Sequence, residues 1–419
     1  MRHLAVAALL LGSTALAADW DRFRGPNGTG VAAGKLPEIG PKTTLWKVPL
    51  PGKGVSSPIV VGGKIYVQSA SDDGAKRFLV CLDAATGKSE WTKTLVGGDA
   101  KRHKLNSLAS GTPACDGKMI YCLWWDGGAM SIAAYDLAGE EKWSHSLGSY
   151  TSDHGPGHSP TVIGGTVYVN FDGSAGAGGE AGTAKGVGSG AALVAFDAAT
   201  GAKKWTAERK AYRASYSTPF LWERPGKAAE VVVGTTTEVT GYDPATGKVN
   251  WAYPVTWPKG KMPLRVVGSP LAVGNLVVCS FGDGGGARYA VGIDPAAKTP
   301  AKVWDLDKGT PYVPCMLTKA DRLFWIGDSG VATCAEAKTG KVLWEERVAT
   351  KDVTASPILM GDEILAVAQT GDYYVFKAAA EFELVRKGKF EEPVLASPAV
   401  ADGKLYVRGA SHLYCFGAR

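Results

Sequence analysis

Three side chains that can bind metals or transfer protons lie within one short stretch, "TSDHGPGH". Asp153, His154 and His158 belong to it, and carboxylate and imidazole groups are common transition-metal ligands. Two histidines four residues apart share one face only in a helix, and the intervening Gly-Pro-Gly excludes a helix here. We therefore expect no metal site. Two interpretations remain open: hydrogen bonding to an anionic or polyhydroxyl ligand, and ordinary loop histidines.

A glycine-rich segment, "DGSAGAGGEAGTAKGVGSG" (172–190), follows soon after. It is not a phosphate-binding P-loop, because Lys185 is followed by Gly186 where that motif requires Ser or Thr. The segment is either a flap over a ligand site or a surface loop without function.

The seven cysteines stand at positions 81, 115, 122, 279, 315, 334 and 415. No two are adjacent, and the chain has no CxxC motif, so we interpret them as small buried hydrophobic residues. One disulfide is possible, and Cys115 with Cys122 is the first pair to consider.

A repeated pattern must position these groups. "CLDAATGKSEW" (81–91) returns with variations at 134–143, 195–205, 241–251, 292–304 and 334–344. Each copy follows a strand that begins with a small residue and proline. These prolines stand at positions 58, 113, 160, 219, 270, 314, 357 and 398, which are 41 to 59 residues apart.

A period near 45 residues with four short strands per unit indicates a β-propeller. We predict an all-β fold, an eight-bladed propeller of four-stranded antiparallel blades. The last repeat lacks a tryptophan strand, and residues 43–50 supply a spare one. We expect this N-terminal strand to complete the C-terminal blade and to remove the free edges. Blade seven has lost Asp, Gly and Trp together (375–385) and should be the loosest interface.

The tryptophan of each motif should pack against the neighbouring blade as a structural peg. The predicted pegs are Trp46, Trp91, Trp143, Trp205, Trp251, Trp304 and Trp344.

Propeller geometry places the residues before each Ser/Thr-Pro around one end of the central channel. We call this end, together with the loops between second and third strands, the mouth. We expect no catalytic residue there, but a set of ligand-binding side chains. These are His103, Asn106, Asp153, His154, His158, Arg213, Tyr216, Arg265, Tyr312 and Asp352.

The D-x-x-T-G-x-x-x-W motif between Ser/Thr-Pro strands resembles the tryptophan-docking motif of quinoprotein-dehydrogenase-like propellers. The stretch "DWDRFRGPNGTGV" (19–31) is similar to the opening of exported proteins with pyrroloquinoline quinone (PQQ)-like repeats. That superfamily contains PQQ dehydrogenases and the cofactor-free outer-membrane assembly lipoprotein BamB. The resemblance covers residues 19 to 419 and implies the fold more strongly than any activity.

Two functions follow from this resemblance. The first is a non-catalytic binding scaffold without a cofactor, whose partner is an envelope protein, a peptide or a glycan. The alternative is a PQQ-dependent alcohol or sugar dehydrogenase assisted by Ca²⁺. The sequence has neither the vicinal disulfide of the alcohol-dehydrogenase branch nor a convincing calcium set. Trp124 and Trp125 could stack on a quinone, but paired aromatics at this place more often pack internally.

Residues 1–17 read as a Sec signal peptide, with an apolar run and an Ala-Leu-Ala ending. We expect residues 18–42 to be an N-terminal extension and 43–419 to be one propeller, in a periplasmic or secreted protein without membrane insertion. The net charge of +6 is interspersed, which argues against nucleic acid as a partner. A closed ring needs no second subunit, so we expect a monomer.

Overall fold

Short strands make up nearly all the regular structure. The computed structural model describes residues 19–150, 152, 154–173, 191–257, 263–350 and 352–418. The predicted signal peptide, Asp153 and most of the glycine-rich segment lie outside these residues. One 3-10 turn, Pro26–Gly28, precedes the strands β1 (Val31–Ala32) and β2 (Thr44–Pro49).

The first four blades follow in chain order, and each blade is listed from its first strand to its fourth. They are formed by β3 (Ile59–Val61), β4 (Lys64–Ala70), β5 (Lys76–Asp83) and β6 (Ser89–Val96); β7 (Ala114–Cys115), β8 (Met119–Trp125), β9 (Ala129–Asp136) and β10 (Glu141–Ser149); β11 (Thr161–Ile163), β12 (Thr166–Phe171), β13 (Ala192–Asp197) and β14 (Lys203–Glu208); β15 (Phe220–Trp222), β16 (Glu230–Gly234), β17 (Glu238–Tyr242) and β18 (Val249–Pro254).

The remaining blades continue in the same way, and the last takes its fourth strand from β2. They are formed by β19 (Leu271–Val273), β20 (Leu276–Gly282), β21 (Arg288–Asp294) and β22 (Ala301–Leu306); β23 (Leu317–Lys319), β24 (Arg322–Ile326), β25 (Val331–Glu336) and β26 (Val342–Arg347); β27 (Ile358–Met360), β28 (Glu363–Val367), β29 (Asp372–Lys377) and β30 (Leu384–Lys389); β31 (Ala399–Ala401), β32 (Lys404–Arg408) and β33 (His412–Phe416).

The strands form eight separate sheets, so the predicted eight-bladed propeller is confirmed. The closure is confirmed as well. Strand β2 pairs antiparallel with β33, and Trp46 lies opposite Cys415. The first strands β3, β7, β11 and β31 contact one another in series, and we call the first strand of each blade its inner strand.

The turn between third and fourth strands explains the repeated Asp, Thr and Gly. In blade one the Asp83 carboxylate accepts hydrogen bonds from the Thr86 amide at 2.9 Å and the Thr86 hydroxyl at 2.7 Å. Gly87 has a φ of 72°, which favours glycine. A Cβ there would lie 2.7 Å from the Trp46 ring. The turn therefore needs glycine both for its backbone and for the indole that packs on it.

Most predicted pegs share one contact: the indole N–H donates to a carbonyl in the turn of the following blade. These bonds, 2.9 to 3.2 Å long, join Trp46 to Ala84, Trp91 to Leu137, Trp143 to Ala198, Trp205 to Pro244, Trp304 to Ala337 and Trp344 to Ala379. Trp251 differs and donates to Glu230 of its own blade at 3.0 Å. The next blade has no Thr-Gly turn to receive it, since residues 292–304 carry the most altered copy of the motif.

The Ser/Thr-Pro motif links neighbouring inner strands. The backbone N–H of the residue before the proline, or of Cys315 in blade six, donates to the side-chain oxygen or sulfur of its counterpart in the next blade. The bonds, 2.9 to 3.2 Å long, are Ser57 to Thr112, Thr112 to Ser159, Thr218 to Ser269, Ser269 to Cys315, Cys315 to Ser356, Ser356 to Ser397 and Ser397 to Ser57.

Blade six departs from the predicted motif. We placed its start at Pro314, whereas the structure puts Cys315 in the Ser/Thr position, with its sulfur as the acceptor, and Met316 in the proline position. A thiol accepts hydrogen bonds only weakly, so the polar pattern that marks the other blades is absent from the sequence at this place.

The N-terminal extension occupies the channel at the end opposite the mouth. We call residues 19–34 the plug. Trp20 exchanges two backbone hydrogen bonds with Val60 of β3, and the Asp21 carbonyl accepts the Cys115 amide at 2.8 Å. The side chain of Arg24, 1 % exposed, donates to the Met316 carbonyl at 2.7 Å.

The plug then crosses to two further blades. The Asn27 side chain donates to the Leu221 carbonyl at 2.7 Å and accepts its amide at 2.9 Å. Strand β1 pairs parallel with β27, where Val31 lies opposite Leu359, and makes that sheet five-stranded. The sequence indicated an extension without assigning it a place; the structure makes it part of the ring.

The interface that should be loosest is filled by the same extension. Arg386 stands in blade seven where other blades have tryptophan, since it pairs with Val375 of the third strand. It donates to Glu363 at 2.9 Å and to the Pro37 carbonyl at 3.3 Å. Leu36 is 1 % exposed in the adjoining core. The expectation of looseness counted only the missing motif and overlooked a segment that is remote in the chain.

Candidate functional site

The mouth brings together two of the predicted histidines. His103 and His154 stack with ring centroids 5.2 Å apart and an angle of 21° between planes. Burial lowers the pKa of His103, and the positive neighbours His154, Lys104 and Arg265 lower it further. The Nδ1 atom of His103 accepts the Leu105 amide at 3.3 Å, and the remaining edge of an imidazole can bind a polar ligand by hydrogen bonding.

Asn106 has a structural part in this arrangement. Its amide donates to the carbonyl of His154 at 2.5 Å and to that of Pro156 at 3.1 Å, while its oxygen accepts the Ser107 amide at 2.8 Å. It therefore fastens the crossing before blade two to the crossing before blade three, and its hydrogen-bonding capacity is largely used within the protein.

An open cleft of about 370 Å³ lies beside the stacked pair. It is lined by Ala100, Lys101, Arg102, His103, Lys104 and Asn106. Arg102 is paired with Asp99 at 2.6 Å, whereas Lys104 is exposed. The lining offers cationic and imidazole donors around a shallow floor, which suits a polar or acidic surface group.

His158 lies deeper than the sequence suggested. It is 1 % exposed and packs between the rings of Tyr150 and Tyr216, with centroids at 5.7 and 6.4 Å. Within the part of the chain that the structure describes, neither ring nitrogen has a hydrogen-bond partner. Burial, with the positive charge of Arg209, lowers the pKa of His158 to about 4. The imidazole is therefore neutral and serves mainly as packing, with Tyr216 held by Ser152 at 3.1 Å.

A buried ion pair below His158 was missed by the sequence reasoning. Arg209 and Asp172 are both fully buried; Nε of Arg209 donates to the carboxylate at 3.2 Å, and Nη2 binds both that carboxylate and Asn170. Burial raises the pKa of Asp172 and the guanidinium opposes this. The polar residues of "VNFD" (169–172) stand at the end of an apolar strand, and this position could have indicated a buried polar pair.

The remaining predicted residues surround the same end of the channel. Arg213 donates to the Pro263 carbonyl at 3.4 Å. Arg265 is 3 % exposed, and its backbone bridges to Gly282. Tyr312 lies under the Arg288 guanidinium at 5.3 Å, and its amide donates to Asp328 at 2.9 Å. Asp352 is exposed, and Asp153 lies outside the described residues.

Two further arginines close the strand ends near the mouth, and the sequence reasoning missed both. Arg77 donates to the carbonyls of Trp125, Gly74 and Gly98 at 2.9, 2.7 and 2.7 Å. Arg408 donates to the carbonyls of Ser56 and Gln68 at 3.0 and 2.6 Å, and burial lowers its pKa to about 9. Both tie one blade to the next through backbone oxygens.

A calcium ion beside PQQ would need several carboxylate or amide oxygens as ligands. Within the described ranges, no three His, Cys, Asp or Glu side chains gather as a metal site. Trp124 and Trp125 are each 6 % exposed, and Trp124 donates to the Tyr135 hydroxyl at 3.0 Å. These tryptophans pack internally and offer no open face for a quinone.

The cysteines are buried thiols without a disulfide. All seven are buried and unpaired, so the suggested pairing of Cys115 with Cys122 is not formed. Burial raises the pKa of Cys115 to about 12 and that of Cys334 to about 11, which keeps these thiols protonated and unreactive.

Among the described residues, no helix is long and apolar enough to cross a bilayer.

Comparison with known proteins gives a family and a set of structural neighbours. The profile of the PQQ_2 family, described as outer membrane protein assembly factor BamB, matches residues 38–185, 158–307, 291–381 and 328–416. No curated protein matches the chain.

Three solved structures are similar over most of their length. BamB from Moraxella catarrhalis has a TM-score of 0.62 at 15% identity, covering 90% of this chain and 99% of its own. A europium-containing methanol dehydrogenase has a TM-score of 0.68 at 14% identity, covering 96% and 98%. Quinohemoprotein alcohol dehydrogenase from Comamonas testosteroni has 0.65 at 14% identity, covering 96% and 81%. At such identities the likeness shows the fold alone.

Proposed function

The chain belongs to the PQQ_2 family, described as outer membrane protein assembly factor BamB, and from this premise we propose that it is an exported, non-catalytic scaffold. It binds its partner, an envelope protein, a peptide or a glycan, through the mouth of the propeller. It acts as a monomer, in the periplasm or outside the cell, without inserting into the membrane.

The observation that carries this proposal is the cleft of about 370 Å³ beside the stacked His103 and His154. Its lining presents imidazole and ammonium groups to the outside, while the groups beneath it are engaged within the protein. Asn106 and Arg102 have internal partners. A rim with a few outward donors suits recognition of a polar surface.

The position of the plug supports the same function. Because the plug lies in the opposite end of the channel, with backbone pairing to β3 and β27, we infer that a partner approaches the channel from the mouth. A pre-organised binding surface loses less conformational entropy when a partner binds.

The test compares capture of partners from an envelope extract by three forms of the purified protein. Lys104→Ala with Arg213→Ala alters the mouth. Lys298→Ala with Lys338→Ala is the matched control, since both lysines are exposed on turns at the opposite end. We expect the mouth variant to lose a specific partner by about tenfold or more, with an unchanged melting temperature. Equal capture by all three forms would contradict the proposal.

The alternative is a PQQ-dependent dehydrogenase, which the likeness to two dehydrogenase structures favours. Its test is titration of the purified protein with PQQ in the presence of calcium or europium, followed by dye reduction with alcohols and sugars. Saturable quinone absorbance together with dye reduction would replace the scaffold proposal. On the donor set described above, we expect neither.

A further inference from the structure

The inner strands share one repeated geometry that bears on a second site. In four inner strands, one residue bonds through its backbone to the plug on the side that faces the channel axis. Val60 exchanges both bonds with Trp20, and Leu221 exchanges both with the side chain of Asn27. The amides of Cys115 and Leu359 donate to the carbonyls of Asp21 and Gly30, each at 2.8 Å.

Four inner strands have no such partner among the described residues. The central residues of two of them, Val162 of β11 and Val400 of β31, are buried; those of the other two are Ala272 of β19 and Thr318 of β23. Among the described residues, neither has a hydrogen bond on its axis side. Both are partly exposed, and β19 is the inner strand whose three residues are all partly exposed in the part of the chain that the structure describes. An unpaired, accessible strand edge is a template for another chain.

These edges open into a cleft of about 320 Å³ at the base of the propeller. Asn27, Gly28 and Thr29 of the plug form one wall, and β15 and β19 form the other, with Thr318 at the end. The lining is mixed apolar and polar, and Glu223 is its one charged residue in the described chain. The shape and chemistry therefore suit a short uncharged segment.

We propose that this cleft is a docking site for an extended, uncharged peptide segment of a partner protein. The segment adds to the inner edge of β19 by main-chain hydrogen bonds, as β1 adds to β27. The plug shows that the inner strands of this propeller can bind a further chain segment in two ways. One is backbone pairing, as at β27, and the other is pairing with a side-chain amide, as at Leu221. The cleft continues the surface on which the plug already lies.

This site is independent of the mouth, because it lies at the opposite end of the channel and shares no residue with it. The two proposals can therefore fail separately. The mouth variant Lys104→Ala with Arg213→Ala should leave peptide binding at the base unchanged.

The first test is amide hydrogen exchange of the free protein, resolved by NMR. We expect the amides of Ala272 and Thr318 to exchange at least about tenfold faster than those of Val60, Leu221 and Leu359, since only the latter are bonded on the axis side. Equal protection at Ala272 and Val60 would show that the edge is already satisfied and would overturn the proposal.

The second test uses the peptide acetyl-Thr-Gly-Val-Ala-amide, which copies residues 29–32. At millimolar concentration it should shift and protect the Ala272 and Thr318 amides in a saturable way. The same peptide N-methylated at Val and Ala cannot donate and is the matched control. Shifts that are absent, that are equal for both peptides, or that lie elsewhere would refute the site.

A protein variant completes the test. Ala272→Pro removes only the N–H that faces the cleft, because Val273 pairs with Leu276 and leaves the Ala272 amide on the free side. We expect the Kd of the peptide to rise about fivefold to tenfold, with unchanged capture at the mouth. Unchanged affinity in a folded variant would refute the pairing; if that variant does not fold, the N-methylated peptide decides.

Discussion

Replacing Trp46 by alanine tests how the ring is held closed. The indole is 9 % exposed, lies 6.0 Å from the Tyr406 ring, and donates to the Ala84 carbonyl of blade one at 3.2 Å. A buried indole covers roughly 200 Å², which at about 25 cal/mol/Å² corresponds to about 5 kcal/mol. Core truncations of tryptophan cost about 3–5 kcal/mol. We therefore expect Trp46→Ala to lower the free energy of unfolding by about 4 kcal/mol.

The assay is equilibrium guanidinium unfolding followed by far-UV circular dichroism, since tryptophan fluorescence would change with the mutation itself. Trp205→Ala is the matched control: its indole makes the equivalent bond to Pro244 at 3.1 Å but is only partly buried. It should cost clearly less than Trp46→Ala. Hydrogen exchange should also quicken at Leu413 and Cys415, which lie opposite β2. A Trp46→Ala protein within about 0.5 kcal/mol of wild type, or one more stable than Trp205→Ala, would refute the reasoning.

Three further predictions follow from buried groups. His158 has a pKa of about 4 in the fold against 6.5 when free. Its contribution to the free energy of unfolding is therefore complete above pH 6.5 and is lost as the pH falls toward 4, by about 3 kcal/mol. His158→Phe should flatten that part of the pH–stability curve, and an unchanged slope would contradict the buried position of the imidazole. Arg209→Met leaves Asp172 buried without its partner and should lower the free energy of chemical unfolding by about 3–5 kcal/mol, much of which adding Asp172→Leu should recover. An Arg209→Met protein as stable as wild type would argue against the ion pair. Asn27→Ala removes two hydrogen bonds to Leu221 and should cost about 1–2 kcal/mol with faster exchange of the Leu221 amide, whereas an unchanged exchange rate would place that residue elsewhere.

The blades were predictable from the sequence because local chemistry determines them. Asp83, Thr86 and Gly87 build one turn within five residues, and the tryptophan that follows fixes the position of the fourth strand. The period of these motifs gives the blade number, and the missing last strand points to residues 43–50. Such features depend on neighbours in the chain, which a pattern can report.

The plug was not predictable in the same way. "RGPNGTG" (24–30) reads as loop, and its partners Val60, Leu221 and Leu359 lie far along the chain. Cys315 escaped notice for a similar reason, since sulfur replaces a hydroxyl in the ring of hydrogen bonds. Only the assembled channel shows which loop residues lie on an open strand edge.

The contacts made by the candidate site residues were only partly predictable. His103 and His154 come together at the mouth, whereas His158 turns inward between two tyrosines and Asn106 bonds to neighbouring backbone. Whether a loop side chain faces solvent depends on packing between crossings of different blades. A polar residue at a strand end, such as Asp172, can mark a buried ion pair. The alternation of apolar and polar residues along a strand would instead assign such a residue to the exposed surface.

Site-specific photocrosslinking tests the scaffold proposal most directly. A photoreactive amino acid is placed at Lys104 in the mouth and, in a matched protein, at Lys298 on the opposite end, and each is irradiated in an envelope extract. The scaffold proposal predicts a discrete covalent adduct from position 104 that position 298 does not give and that excess unlabelled protein suppresses. Adducts of equal kind and yield from both positions would contradict a binding site at the mouth.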